Sequence, residues 1–89
     1  MTYRVMFTEK ARKELKKLDR QTAAFLTGWI HRNLEGCENP RAHGKGLTAN
    51  NAGLRRYRVG DYRLIAEIRE NEIVIYLLNI GHRSNVYMA

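Results

Sequence analysis

The stretch "LRRYRVGDYRLI", residues 54–65, predicts a β-hairpin lined with arginine. Two runs with the composition of strands flank Gly60-Asp61, and a connection of two residues forces the flanking strands into antiparallel pairing. Four arginines lie between Leu54 and Arg63. Because like charges on neighbouring strands repel, the hairpin is either a solvated surface or a surface on which a polyanion binds.

The segments around this hairpin predict an α+β fold. The successive elements are a strand at 2–7, a helix capped by Thr8, a second helix at 21–34 capped by Asp19, a loop at 36–53, and strands at 54–59, 62–69 and 73–80. Apolar residues recur at helical spacing in both helices, at Ala11, Leu15 and Leu18 and then at Ala23, Leu26, Ile30 and Leu34. The order is therefore β-α-α-β-β-β, with an N-terminal helical hairpin packed on one face of a small antiparallel sheet.

Chain length and net charge limit the classes of protein to which this sequence can belong. Eighty-nine residues predict a single domain, 1–89. Sixteen Lys and Arg against nine Asp and Glu give a net charge of +7, which favours anionic partners and nucleic acid above all. Cys37 is the only cysteine, so the chain forms no intramolecular disulfide. The N-terminus lacks the apolar core of a signal peptide, and no apolar run could span a membrane, so we expect a cytoplasmic protein.

Side-chain alternation predicts where the arginines lie. Arg56 and Arg58 project from one side of their strand. In the next strand Tyr62, Leu64, Ala66 and Ile68 form the apolar set, which leaves Arg63 on the opposite side. Odd positions of the last strand, Asn79 and then Arg83, can join them. The arginines can therefore converge on the sheet face that the helices leave open.

The chain resembles the RelE/ParE superfamily of bacterial toxins, in particular the RelE-like mRNA interferases. The resemblance covers nearly the whole chain and includes "YRVMF", "TEKARKELKKLD", "LRRYRVGDYRLIAEI" and "IVIYLLNIGHRSNVY". The D-Y-R of the hairpin and the terminal G-H-R-x-x-V-Y are its specific parts. The resemblance implies a toxin of a type II toxin–antitoxin system that cleaves mRNA in the ribosomal A site, with the ribose 2′-OH attacking the adjacent phosphate.

The resemblance also assigns residues and partners. Arg56 and Arg58 match the family's basic pair before the turn, Arg63 its arginine after the turn, Arg83 the arginine of the last strand and Tyr87 the C-terminal tyrosine. The implied partners are a RelB-like antitoxin, the ribosome and mRNA, with operator DNA bound only through the antitoxin complex.

Some relatives have Lys-x-Lys where this chain has Arg56-Tyr57-Arg58. Arginine is effectively never deprotonated, so neither residue is a credible general base. His82 could move a proton, although alternation points it away from Arg83. Tyr87 could stack on a base or transfer a proton. No cluster of Asp, Glu and His at ligand spacing is evident, so we expect neither a metal nor another cofactor.

Further cations are candidates for contact with RNA. They are Lys10, Lys13 and Lys17 of the first helix, Lys45 of the loop, and Arg55. Contacts of this kind would fix the position of the protein on the RNA and would not create a preference for particular bases. Arg55 points to the opposite side of its strand from Arg56, so an ordinary surface role is the simpler interpretation for that residue.

Three functions stay open on these grounds. The first is a metal-independent, ribosome-dependent endoribonuclease. The second is a ParE-like protein that inhibits DNA gyrase without chemistry, and the third is a non-catalytic RNA-binding module. The convergent arginines favour the first, because a gyrase inhibitor has no need of several phosphate ligands on one face.

Overall fold

The described part of the molecule, residues 2–46 and 53–82 of a computed structural model, contains two helices and five strands. The elements are β1 (Arg4–Phe7), α1 (Glu9–Lys16), α2 (Arg20–Asn33), β2 (Lys45–Gly46), β3 (Leu54–Val59), β4 (Tyr62–Arg69) and β5 (Val74–His82), with a short 3₁₀ turn at Pro40–Ala42. The predicted α+β fold is confirmed. The predicted bounds of β3 and β4 are those of the structure.

Both helices begin at the predicted capping residues. The Thr8 hydroxyl accepts a hydrogen bond from the Ala11 N–H at 3.1 Å and donates one to the Leu77 carbonyl at 3.1 Å, which ties the start of α1 to β5. The Asp19 carboxylate accepts from the Thr22 N–H at 3.1 Å. These bonds satisfy N–H groups that a helix N-terminus otherwise leaves without a partner.

The sheet differs from the expectation in two respects. Its strand order is β1-β5-β4-β3-β2, and β1 pairs with β5 in parallel, so the sheet is mixed rather than antiparallel. A parallel pair needs a long crossover, which the intervening helices and strands provide. In addition β2, in a stretch predicted as loop, pairs with β3. The two described residues of β2 are too few to produce a periodic signal in the sequence.

The core lies between the helices and one sheet face. Its buried members are Ala11, Leu26, Ile30 and Leu34 from the helical segments and Tyr57, Val59, Leu64, Ala66, Ile75, Leu77 and Ile80 from the strands. Leu15 and Leu18 pack against this cluster and are partly buried. The predicted apolar faces are therefore the faces that the fold buries, and the opposite sheet face is left for the arginines.

A register shift interrupts the β4–β5 ladder. Ile65 and Ala66 pair with Asn79 and Leu77, which makes Leu78 an extra residue in β5. The Glu14 carboxylate of α1 accepts a hydrogen bond from the Ile80 N–H at 2.8 Å and one from the Asn79 amide at 3.4 Å. Strict alternation predicted Asn79 beside the arginines; it pairs with Ile65, the β4 partner of Arg56, and its amide also bonds to α1.

Candidate functional site

A cleft lined by cations opens where β2, β3 and β4 lie side by side. It has a volume of about 310 Å³, and its walls are formed by Gly44, Lys45, Arg56, Arg58 and Arg63. Arg58 and Arg63 are direct partners in the β3–β4 ladder, and Lys45 is the partner of Arg56 in the β2–β3 ladder. Direct cross-strand partners project from the same sheet face, so the pairing brings all four cations together. The convergence of Arg56, Arg58 and Arg63 agrees with the prediction from alternation.

The turn between β3 and β4 fixes this register. Val59 pairs with Tyr62, so the connection has only two residues, Gly60 and Asp61. Gly60 has a φ of +62°, the left-handed region that the first position of a type II′ turn requires and that glycine adopts without steric cost. The Phe25 ring would lie 3.3 Å from a Cβ at Gly60, so the turn also packs close to α2. The placement of Arg58 opposite Arg63 therefore follows from local turn chemistry.

The outer wall of the cleft is held by side chains of β3. The Arg55 guanidinium donates to the carbonyls of Arg41 and His43, each at 2.6 Å, and to that of Gly44 at 3.1 Å. The Tyr57 hydroxyl donates to the Pro40 carbonyl at 2.7 Å. We call these bonds, from Arg55 and Tyr57 to the segment 40–44, the loop latch.

Gly44 lies close against the backbone of β3. A Cβ at Gly44 would lie 2.3 Å from the Arg56 carbonyl oxygen and 2.8 Å from the Tyr57 ring, and the residue has a φ of +72°. Only glycine fits this position without displacing backbone. Sequence reasoning missed both Gly44 and the loop latch, because a glycine and an arginine near a loop read as ordinary loop and surface residues.

Charge is distributed unevenly over the open face. Among the five described residues that line the cleft, four carry positive charge and none is a carboxylate. Beyond the cleft, Arg69 contacts Glu67 at 3.2 Å and Glu72 at 3.5 Å, and Arg41 contacts Glu70 at 3.2 Å. The carboxylates of this region thus lie beside Arg41 and Arg69, whereas the cleft itself concentrates positive charge. Such a cleft attracts an anion with several negatively charged oxygens.

His82 lies on the other side of the sheet from the cleft. It is the direct partner of Tyr62, and the two rings pack edge to face with centroids 5.5 Å apart. Tyr62 packs against the hydrophobic core. The β5 residue opposite Arg63 is Gly81. The structure therefore does not bring the His82 ring together with the three arginines of the hairpin.

The other candidate cations lie in different places. The Arg55 guanidinium is in the loop latch rather than in the cleft. Lys10, Lys13 and Lys17 share a surface of α1 with Glu9 and Glu14, and Lys13 contacts Glu9 at 3.5 Å. Arg83 and Tyr87 fall outside the residues that the structure describes.

The Tyr57 hydroxyl of the loop latch is buried, and its pKa is shifted. Burial raises the pKa of Tyr57 to about 12, above the ordinary value of 10.0, because the phenolate would lose its hydration. The hydroxyl therefore remains a proton donor to the Pro40 carbonyl over the whole physiological range.

Residues 2–46 and 53–82 contain neither a candidate metal site nor a candidate membrane span. No group of three or more His, Cys, Asp and Glu side chains in these ranges could hold a metal ion. No helix there is long and apolar enough to cross a membrane.

The sequence and the fold are both similar to those of known toxins. Residues 5–87 match the profile of a family described as the ParE toxin of type II toxin–antitoxin systems. Toxin RelG of Mycobacterium tuberculosis is 32% identical over 87 residues, which are 98% of this chain and 98% of the relative. Toxin RelE of the same organism is 31% identical over 85 residues, 96% of this chain and 86% of the relative.

Solved structures agree with this relationship. A chain in the crystal structure of the toxin–antitoxin complex RelBE2 from Mycobacterium tuberculosis superimposes with a TM-score of 0.82 and 30% identity, covering 96% of this chain and 95% of that chain. A chain of the intact Escherichia coli RelBE complex gives a TM-score of 0.70 at 20% identity, over 90% of this chain and 95% of that one, which shows a common fold.

Proposed function

The chain belongs to the ParE toxin family of type II toxin–antitoxin systems and is related to the RelE toxins, and from this premise we propose that it is a ribosome-dependent endoribonuclease. It would act in the cytoplasm, enter the ribosomal A site and cleave mRNA there. The single observation that carries the proposal is the cleft of Lys45, Arg56, Arg58 and Arg63, in which four cations converge and no carboxylate is among the described lining residues.

The proposed reaction uses a nucleophile that the substrate itself contains. The ribose 2′-oxygen loses its proton and bonds to the adjacent phosphorus, and the 5′-oxygen leaves and takes up a proton. The products are a 2′,3′-cyclic phosphate and a 5′-hydroxyl. Charge accumulates on the phosphorane, where arginine forks can donate paired hydrogen bonds to its oxygens. Each well-aimed donor of this kind is worth about 3–4 kcal/mol of transition-state stabilisation.

Proton transfer needs groups other than the hairpin arginines, because guanidinium is not a base at physiological pH. We assign Arg83 to the phosphate and Tyr87 to alignment or protonation, as the family pattern implies. His82 is the less favoured candidate, because its ring packs on Tyr62 on the opposite sheet face. Because acid–base assistance is weak, positioning of the mRNA by the ribosome would supply much of the rate acceleration. Positioning lowers the activation free energy by up to about 7–11 kcal/mol in favourable cases. Free RNA should therefore be cleaved poorly.

The chemical groups at the ends of the cleaved RNA fragments test this mechanism. mRNA on translating ribosomes should yield a 5′ fragment that carries a 2′,3′-cyclic phosphate, detected by primer extension together with mass spectrometry of the ends. One 2′-deoxy substitution at the cleavage site should stop the reaction, and the same substitution one nucleotide away serves as the matched control. A plain 3′-hydroxyl would show that water is the nucleophile and would overturn the mechanism.

The family match also supports a second candidate, because its profile is that of the ParE toxins. A ParE-like inhibitor of DNA gyrase would induce DNA damage and leave mRNA intact. A non-catalytic RNA-binding module would do neither. Expression of the toxin, followed by parallel assays of mRNA ends and of the DNA damage response, distinguishes the three functions.

We propose that a RelB-like antitoxin neutralises the protein. The similar structures from Mycobacterium tuberculosis and Escherichia coli described above are toxin–antitoxin complexes, RelBE2 and RelBE. The excess of positive charge and the cationic cleft favour a partner that brings acidic residues. Capture from the native host should recover a small acidic protein, and operator DNA should bind only when that protein is present. Recovery of ribosomal proteins without such a partner would contradict this assignment.

A further inference from the structure

We propose that Arg55 is a positioning residue of the nuclease site: it does not touch RNA but acts through Lys45, whose place in the cleft depends on the loop latch. This inference rests on the proposed function and extends it. It also replaces the assignment of Arg55 as a candidate RNA contact.

The described part of β2 is an exposed edge of the sheet. It comprises Lys45 and Gly46, and both residues are exposed. β2 is the end strand in the order β1-β5-β4-β3-β2, so it has a hydrogen-bonded neighbour strand on one side only and depends on other contacts for its position. Arg55 supplies such contacts, because one guanidinium donates to the carbonyls of Arg41, His43 and Gly44 in the segment before β2.

The shape of the guanidinium matters more than its charge. Its N–H groups are fixed in one plane, which suits three carbonyl oxygens that lie on neighbouring residues. The ammonium of lysine has the same charge but a compact head on a flexible stem, so it cannot reproduce this arrangement. Arg55→Lys therefore removes the geometry of the latch and preserves the net charge of the protein.

The position of Lys45 predicts which kinetic parameter changes when the contact between Lys45 and RNA is lost. Lys45 pairs with Arg56, which lies two residues along β3 from Arg58. Two residues of a strand span about 7 Å. Lys45 therefore serves a phosphate next to the one held between Arg58 and Arg63. A contact to a neighbouring phosphate is made equally in the ground state and in the transition state, so its loss raises KM and leaves kcat nearly unchanged.

The test is a double-mutant cycle on ribosome-bound mRNA. Arg55→Lys and Lys45→Ala should each raise KM about tenfold, with kcat within about twofold of wild type. In the Lys45→Ala background, Arg55→Lys should have little further effect, because the side chain through which it acts is gone. Arg20→Ala, which removes an exposed cation at the start of α2, is the control for loss of charge. If Arg55→Lys raises KM equally in both backgrounds, Arg55 does not act through Lys45 and the proposal is wrong.

Amide hydrogen exchange supplies a measurement that does not depend on catalysis. The amides of residues 44–46 should exchange faster in Arg55→Lys than in wild type, whereas those of β4 should not change. Unchanged protection at 44–46 would also overturn the proposal. If Arg55→Lys fails to fold, Tyr57→Phe takes its place, because it removes one hydroxyl of the same loop latch and keeps the ring in the core. If the wild-type protein cuts no RNA, the proposed function fails, and the exchange comparison still decides whether Arg55 positions Lys45.

Discussion

Arg58 and Arg63 are direct cross-strand partners beside the β3–β4 turn, so the hairpin places two positive charges opposite one another. A pair of like charges in this position destabilises a sheet by about 0.2–1 kcal/mol. An anion bound between the two guanidinium groups would relieve the repulsion. The same pair therefore lowers the stability of the unliganded protein and, on the proposed function, forms part of a phosphate site.

The first prediction concerns this repulsion. Arg58→Thr should raise the free energy of unfolding by about 0.5 kcal/mol, because it removes one of the opposed charges and introduces a residue that favours strands. Inorganic phosphate should stabilise wild type more than chloride does at matched ionic strength, and should lose that advantage in the variant. Thermal unfolding measures both effects. An equal response of the two proteins to phosphate would mean that no anion binds at the pair.

A second prediction separates the site from the scaffold. Arg63→Ala should abolish mRNA cleavage and toxicity while changing the free energy of unfolding by no more than about 0.5 kcal/mol. Leu26→Ala should cost about 2–5 kcal/mol, because this side chain is fully buried in the core. Urea unfolding and a growth assay report the two properties. If Arg63→Ala remained as toxic as wild type, the arginine face would be a solvated surface.

The third prediction follows from the raised pKa of Tyr57, about 12 in the folded protein against an ordinary value of 10.0. A raised pKa favours the protonated form in the folded state, so its contribution to stability is complete below pH 10 and is lost as the pH rises toward 12. Tyr57→Phe should remove this part of the alkaline loss of stability. Urea unfolding at a series of alkaline pH values tests it, and parallel curves for the two proteins would contradict it.

A fourth prediction concerns backbone strain between β4 and β5. Ile73 has a φ of +56°, a left-handed conformation that costs a β-branched residue about 1–2 kcal/mol. Asparagine tolerates this region, so relief of the strain in Ile73→Asn should stabilise the protein by about 1 kcal/mol. Loss of the packing of the half-buried isoleucine side chain offsets part of that gain. Ile73→Val is the control, since it keeps the branch and the strain. A melting temperature of Ile73→Asn below that of Ile73→Val would refute the prediction.

Much of the fold could be predicted from short-range patterns. The turn residues Gly60 and Asp61 determine the β3–β4 register, and the caps Thr8 and Asp19 determine where the helices begin. The parallel pairing of β1 with β5 could not be predicted, because alternation identifies the face of a strand but not its partner. The extra residue in β5 also has no periodic signal.

The candidate site could be predicted from the sequence only in part. Arg56, Arg58 and Arg63 lie on one hairpin, so alternation alone brings them together. Lys45 reaches them through the β2–β3 ladder, which joins segments whose separation in the sequence gives no local signal. The role of Arg55 depends on three carbonyl oxygens of a loop, and no pattern of residue types encodes where those oxygens point.

The pairing of β1 with β5 constrains how the protein is made. Arg4 pairs with Val74, so the first strand to leave the ribosome waits for the last before it gains a neighbour in the sheet. Thr8, which caps α1, likewise donates its hydroxyl to Leu77. Contacts this distant in sequence form slowly and only after the later partner has been synthesised. A growing chain of this toxin therefore emerges with its sheet incomplete, and β1 gains its only strand neighbour among the described residues after most of the chain has been synthesised.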